Sequence, residues 1–259
     1  MRSSARRAES RAAYLFLLPW FTGLVTITAG PLLASLYLAF TDFHLVTPPH
    51  WNGLDNLRGM LGSDPRFWHA ARNTLVYVAL SVPLVTLTSL AIAVSLNRGL
   101  RGLAIYRTVF YIPSLLGGSV AIALLWRQVF GEDGIFNDLL GVLGIEGRSW
   151  IGNPRTALNT LVTLNVWAFG ASMVIFLAAL RQIPAELYEA ARIDGAAMVQ
   201  RFWYITLPML TPVLFFNVVL QTIHAFQAFT AAHVISQGTG GPLDSTLLYT
   251  LYLYQVAFV

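Results

Sequence analysis

Uncharged hydrogen-bonding side chains recur at helical spacing inside a long apolar run near the end of the chain. Asn217, Gln221 and His224 are separated by four and three residues, so they share one helix face, and Gln227 drifts off that face. Amide and imidazole groups facing a water-filled path are what a neutral polar solute needs. Two interpretations stay open: the stripe lines such a path, or its members hydrogen-bond to neighbouring helices.

Asn165 and Trp167, in the preceding apolar run, are further candidates for the same path. Trp167 also fits a packing or lipid-contact role. The chain has no cysteine and no lysine, which excludes thiolate chemistry and a phosphate-binding P-loop. Its five histidines show no metal-ligand spacing, so no metal site is predicted. The pattern therefore favours solute binding over catalysis.

These candidates lie on elements that belong to a membrane protein. Of 259 residues, 56% are hydrophobic and 11% are charged, with mean hydropathy +0.63, whereas soluble domains carry about 25% charged residues. Five apolar runs are long enough to be membrane spans: residues 12–40, 74–96, 109–126, 157–180 and 207–235. As a helix, each run can cross roughly 30 Å of hydrocarbon. We predict an all-α polytopic bundle in which residues 1–259 form one transmembrane domain.

Three details of these runs bear on function. The first run is too long for the apolar part of a signal peptide, which favours an uncleaved anchor. In the third run, Pro113 and the pair Gly117–Gly118 indicate either a bent gate or close helix packing. No Asp, Glu, Lys or Arg lies inside any run. That absence argues against an ion-driven carrier, which keeps ionisable groups near the midplane.

The arginines fall into two sets when the five runs are taken as spans. The first set is Arg2, Arg6, Arg7, Arg11, Arg98, Arg101, Arg107, Arg181, Arg192 and Arg201. The second set is Arg58, Arg66, Arg72, Arg127, Arg148 and Arg155. The positive-inside rule makes the first set cytoplasmic. The amino terminus and the connection at residues 181–206 are then both in the cytosol, and membrane topology accounts for the positive charge without nucleic acid.

The connection at residues 181–206 has the signals of a helix, a turn and a second helix. Pro184 suits the first helical turn and Gly195 the position just past the helix end. Acidic residues near the amino end and Arg192 near the carboxyl end match the helix dipole. The second helical stretch, residues 196–206, is expected to end at Leu207–Pro208. These features alone also fit a well-capped surface helix that joins two spans.

The spacing E-A-A-x3-G-x9-I-x-L-P, from Glu189 to Pro208, resembles the EAA loop of ATP-binding-cassette (ABC) importer permeases. The resemblance implies that this loop docks on a separate ATPase and transmits its closure to the spans. The implied coupling residues are Glu186, Glu189, Ala190, Ala191, Asp194, Gly195, Ile205, Leu207 and Pro208. Gly195→Asp is expected to abolish transport while the chain still inserts.

Flanking segments narrow the resemblance to the carbohydrate-uptake branch, similar to the maltose and glycerol-phosphate transporter membrane subunits. They include residues 35–42, 53–56, 134–137, 183–196 and 240–242. The resemblance implies a heterodimer with a second homologous permease, an ABC ATPase dimer and an extracytoplasmic solute-binding protein. ATP and Mg would bind to the ATPase, and this chain would bind no cofactor. The chain would be a multi-pass protein in the lipid of the plasma or inner membrane.

Alternatives remain at this stage. An ABC permease for phosphate or polyamine fits the same loop. A secondary carrier or channel would transport without ATP, and a purely structural membrane protein would not need the polar stripe. Residues 238–259 look like a loop that precedes a final helix, so we expect a missing sixth span after Val259. A natural five-span protein is the alternative.

Overall fold

The structure is a computed structural model that describes residues 2–44, 46–98 and 102–259, with the backbone alone over residues 2–12. Arg101 lies outside the described residues, as do the side chains of Arg2, Arg6, Arg7 and Arg11. The described chain is mostly helical. It divides into two compact units, residues 1–64 and residues 65–259.

The first unit consists of a long apolar helical segment followed by a hairpin and a short helix. Its elements are α1 (Arg2–Gly23), a π-helical turn (Leu24–Ala29), α2 (Gly30–Leu38), β1 (Thr41–His44), β2 (Thr47–Trp51) and α3 (Asp55–Ser63). The strands pair antiparallel, with Thr41 opposite Trp51. Asn56 fixes this end of the unit, because its Nδ2 donates to the carbonyls of Ala39 at 3.1 Å and Thr41 at 2.9 Å.

The second unit is a helical bundle. Its elements are α4 (Pro65–Leu96), α5 (Leu103–Leu116), α6 (Val120–Val129), α7 (Ile135–Val142), α8 (Ala157–Trp167), α9 (Gly170–Leu180), α10 (Ala185–Ile193), α11 (Met198–Arg201), a π-helical turn (Phe202–Thr206), α12 (Leu207–Phe226), α13 (Thr230–Ile235), a 3-10 turn (Pro242–Asp244) and α14 (Tyr249–Phe258). α4 is the centre of this bundle, since α8, α9, α12 and α14 all pack against it.

Two hydrophobic cores hold the bundle. The first contains Tyr77 and Leu161, and the tail around Leu247 and Leu251 completes it. The second joins the carboxyl half of α4 to α9 through Met173 and other buried side chains. Because lipid is as apolar as these side chains, close van der Waals packing between the helices stabilises both cores. Both cores therefore depend on contacts between residues far apart in the sequence.

Three described helical segments are long and apolar enough to span a membrane: Ala13–Leu38, Pro65–Leu96 and Met198–Ile235. The two bent pairs, α5 with α6 and α8 with α9, bring the number to five if each counts as one span. The third predicted run is not one straight helix, because α5 and α6 meet at 97°. A sharp bend there is expected where Pro113 removes a backbone donor and two glycines follow.

The tail differs from its expected form. The sequence predicts a loop over residues 238–259, whereas Tyr249–Phe258 is the helix α14. Its start is fixed by α4, since the backbone N–H of Tyr249 donates to Thr74 Oγ1 at 2.8 Å. The Nδ2 of Asn73 also donates to the carbonyl of Asp244 at 2.7 Å. The sequence of this segment shows no amphipathic periodicity, because its own aromatic and apolar residues are spread over all faces of the helix.

Candidate functional site

The two bent helix pairs meet beside the carboxyl end of α12. α5 and α6 join at residues 117–119, and α8 and α9 join at residues 168–169 with an angle of 43°. A β-carbon on Gly117 would lie 2.9 Å from the β-carbon of Ala168, so only glycine permits this approach. Membrane transporters build solute sites where discontinuous helices meet inside the bundle.

A cavity of about 450 Å³ opens at this meeting point. Its polar lining residues are Tyr77, Ser114, Asn165, Ser172, Asn217, Gln221, His224, Gln227 and Thr230. The described lining includes no Asp, Glu, Lys or Arg. The cavity therefore offers many neutral donors and acceptors and no fixed charge, which suits a solute that binds through hydroxyl groups.

Asn217 and Gln221 lie one helical turn apart on the cavity wall. The Nε2 of Gln221 donates to Ser172 Oγ at 2.6 Å, which ties α12 to α9. Asn217 is only 1% exposed, and its Oδ1 has no hydrogen-bond partner among the described residues. An unsatisfied buried acceptor costs about 1–3 kcal/mol, so this oxygen needs a donor that the described residues do not supply.

His224 and Gln227 complete the predicted stripe. Both side chains are exposed and both line the cavity. The sequence suggested that Gln227 leaves the common face, but α12 ends at Phe226 and Gln227 takes non-helical angles of φ −90° and ψ 3°. The turn that follows the helix therefore brings Gln227 back to the cavity. Helical periodicity does not apply beyond the last helical residue.

Asn165 lines the cavity, whereas Trp167 does not belong to its described lining. The Trp167 ring packs 5.6 Å from that of Trp126, measured between centroids, and against the first hydrophobic core. The packing role of Trp167 is therefore the one the geometry supports. Sequence reasoning missed Ser172; its signal was a small polar residue close to Gly170 in an otherwise apolar run.

The connection between α9 and α12 contains α10, which is one residue shorter at each end than the helix expected from Pro184 to Asp194. Pro184 precedes the helix, with an extended ψ of 131°, instead of occupying its first turn. Gly195 follows the helix with φ +77°, as predicted. The N–H of Ala196 donates to the carbonyl of Ala191 at 2.8 Å, so the glycine allows a Schellman turn that closes the helix end.

One side of α10 is anchored to the bundle and the other is open. Ile183 belongs to the second core, and Tyr188 packs against it. The Tyr188 hydroxyl lies 2.9 Å from Thr206 Oγ1. The exposed side chains of the connection include Glu186, Leu187, Glu189, Ala190, Ile193 and Asp194. Ile193 is 86% exposed, so this side of α10 makes little contact with the bundle.

The second helix of the connection runs directly into α12, so the expected break at Leu207–Pro208 is wrong. The π-helical turn Phe202–Thr206 precedes Pro208, and the N–H of Leu207 donates to the carbonyl of Phe202. This wider turn accommodates the missing donor and the ring of Pro208 without ending the helix. Ile205 packs against the second core, so the coupling candidates Ile205, Leu207 and Pro208 lie at the base of a continuous helix.

Comparison with known proteins decides the family. A family model described as the inner membrane component of binding-protein-dependent transport systems matches residues 60–259. The chain belongs to this family. The resemblance to importer permeases is thereby confirmed, and the protein is an inner-membrane component of a transport system.

Two relatives match this chain over nearly its whole length. The probable ABC transporter permease protein YesP of Bacillus subtilis is 52% identical over 99% of this chain and 84% of its own. The lactose transport system permease protein LacF of Rhizobium radiobacter is 34% identical over 99% of this chain and 87% of its own. A bacterial alginate ABC transporter, solved with an alginate pentasaccharide-bound periplasmic protein, has a chain with TM-score 0.81 and 20% identity. The match covers 99% of this chain and 86% of the alginate transporter chain, which establishes a shared fold.

Proposed function

We propose that this chain is the membrane-spanning permease subunit of an ABC importer that translocates a sugar delivered by an external binding protein. The observation that carries the proposal is the uncharged hydrogen-bonding cavity at the junction of two bent helix pairs. Sugar hydroxyls donate and accept hydrogen bonds, as do the amides of Asn165, Asn217 and Gln221. The lactose and alginate systems named above support a sugar as the solute.

The energy for transport comes from a separate ATPase dimer that docks on the coupling surface, defined as the exposed face of α10 with the Gly195 turn. The exposed residues Glu186, Glu189, Ala190 and Asp194 and the partly exposed Ala191 form this surface. ATP and Mg bind the ATPase, so this chain contributes movement and not hydrolysis. The helix α10 is firmly attached to the bundle, which supports transmission of ATPase closure to the bundle as a rigid-body movement.

The coupling surface and the amino terminus lie in the cytoplasm, and residues 1–259 act as one permease domain with residues 181–206 as its coupling loop. Arg98, Arg192 and Arg201 line a single cavity, which supports their common assignment to one side of the membrane. The positive-inside rule then gives the orientation. A second homologous permease completes the path across the membrane.

The test is to purify the tagged chain from its native membranes in mild detergent and identify its partners by mass spectrometry. The recovered complex is then reconstituted in vesicles with its binding protein, and uptake of a panel of radiolabelled sugars is measured. A partner ATPase whose catalytic residues are replaced is the matched control.

The proposal expects an ATPase and a second permease in the complex, and sugar uptake that requires both ATP and the binding protein. Uptake that continues with the inactive ATPase would instead make the chain a carrier. ATP-dependent uptake of phosphate or polyamine, with no sugar transported, would keep the importer assignment and overturn the sugar.

A further inference from the structure

A second cavity of about 690 Å³ lies where the end of α4, the end of α9 and the α10–α11 connection meet. Three arginines from three different elements line it: Arg98 after α4, Arg192 on α10 and Arg201 on α11. We call it the arginine cavity. Because like charges repel, three guanidinium groups around one concave space favour an anion between them.

The arginines of this cavity have no acidic partner among the described residues. The Nη2 of Arg98 contacts Met198 Sδ at 3.7 Å, and this uncharged sulfur does not neutralise the positive charge of the guanidinium. The Nε of Arg201 is buried and has no hydrogen-bond partner in the described part of the chain. A buried guanidinium donor without an acceptor is costly. The site therefore provides an unused donor in addition to unpaired positive charge.

Part of the cavity lining is apolar: Val94, Leu180, Met198 and Phe202. Met198 is 61% exposed. On the same helical segment, Trp203 is 58% exposed and Tyr204 is 81% exposed. Exposed Trp and Tyr beside arginine are typical of the level of the lipid headgroups. A small soluble anion gains nothing from these apolar lining residues, whereas an amphiphile fits both the positive charge and the apolar lining.

We propose that the arginine cavity binds the phosphate headgroup of an anionic phospholipid. The planar guanidinium groups match phosphate oxygens in pairs, and basic pockets between membrane helices hold such headgroups. A phosphate bound there links Arg98, at the end of α4, to Arg192 and Arg201 on the coupling connection. The lipid thereby fixes the connection against the bundle, whichever solute the protein transports.

The test uses the full chain in an uncharged detergent. After delipidation it is titrated with phosphatidylglycerol or with phosphatidylcholine of the same acyl chains, and bound lipid is counted by native mass spectrometry. The proposal expects one phosphatidylglycerol to be retained in preference to phosphatidylcholine. Arg201→Gln and Arg192→Gln are each expected to weaken this binding roughly fivefold, since each arginine near a membrane surface contributes about that factor.

Arg181→Gln is the matched control, because Arg181 is exposed in the same connection but outside the described lining of the cavity. Equal loss with Arg181→Gln, or equal retention of both lipids, would overturn the proposal. Displacement of the lipid by millimolar inorganic phosphate would assign the site to a soluble anion instead. Displacement by the purified partner ATPase would assign it to a carboxylate of that protein. If Arg201→Gln fails to fold, the exposed Arg192 carries the test.

Discussion

The Tyr188 hydroxyl and Thr206 Oγ1, 2.9 Å apart, join the coupling helix to the base of a membrane-spanning helix. Thr206 is buried at 6% exposure and is the last residue of the π-helical turn that leads into α12. Ile183 belongs to the second core, and Tyr188 and Ile205 pack against it. A push on α10 therefore reaches α12 through a hydrogen bond and direct packing, a contiguous physical link between the two elements.

Tyr188→Phe tests this link. The ring stays in the core while the hydroxyl is lost, and a buried neutral hydrogen bond contributes about 0.5–1.5 kcal/mol. We expect the variant to insert and assemble normally but to transport several-fold less solute for each ATP hydrolysed. The measurement is the ratio of uptake to phosphate release in proteoliposomes.

Tyr204→Phe is the control for that experiment, because Tyr204 lies in the π-helical turn that ends at Thr206 but is 81% exposed. Its transport ratio should match that of the unmodified protein. An unchanged ratio in Tyr188→Phe would show that the hydrogen bond carries no coupling.

Gly195 allows a prediction that separates the internal fold from the partner surface. Its φ of +77° is in the left-handed region, and a β-carbon there would meet no atom within 4 Å. Asp and Asn both tolerate this conformation, so the chain should fold with either. We expect Gly195→Asp to abolish transport by adding a charge beside Asp194 on the surface proposed to face the ATPase, while Gly195→Asn retains most activity.

Uptake assays on the two Gly195 variants, with membrane insertion checked by immunoblot, make the comparison. Normal transport by Gly195→Asp would remove Gly195 from the coupling surface. Equal loss in both variants would instead assign the effect to backbone geometry at the glycine.

The sequence predicted local features of the site better than its boundaries. The spacing of Asn217, Gln221 and His224 on one helix face matches their place on one cavity wall, because that property depends only on helical periodicity. The positions of Gln227 and Trp167 depend on where helices end and which rings they meet. Periodicity carries no such information.

The bends in the helices also show that the sequence predicts local features but not the geometry that depends on distant contacts. Pro113 and the glycines at 117 and 118 signal an interruption, but they give neither the angle of 97° between α5 and α6 nor the close approach of the distant residue Ala168. Likewise, Pro208 predicts a break when read locally, yet the π-helical turn absorbs it. Tertiary packing therefore decides what a local breaker signal becomes.

Asn217→Leu tests the cavity as a solute site. Replacing an unsatisfied buried amide by an apolar side chain of similar size removes a desolvation cost, so folding stability should be unchanged or higher. Transport should fall at least several-fold because a hydrogen-bonding amide in the lining of the proposed solute cavity is lost. Thermal unfolding in detergent and uptake in proteoliposomes measure the two effects.

Asn159→Leu is the control for Asn217→Leu. Asn159 is exposed on α8 and is not in the described lining of the cavity, so its replacement should leave uptake unchanged. Undiminished uptake by Asn217→Leu would mean that this amide serves helix packing, the alternative interpretation of the polar stripe.

Gly170 tests the close packing that creates the cavity. A β-carbon at this position would collide with the backbone of Phe110 on α5, so Gly170→Ala must push α5 and α9 apart. Overpacking of this kind typically costs about 1–3 kcal/mol, and we expect a clearly lower thermal unfolding temperature in detergent. Gly118→Ala is the matched change, because a β-carbon on Gly118 would meet nothing within 4 Å, and its unfolding temperature should be nearly unchanged. If both variants unfold at the same temperature as the parent protein, α5 and α9 are not in close contact at Gly170, and this contact does not shape the cavity.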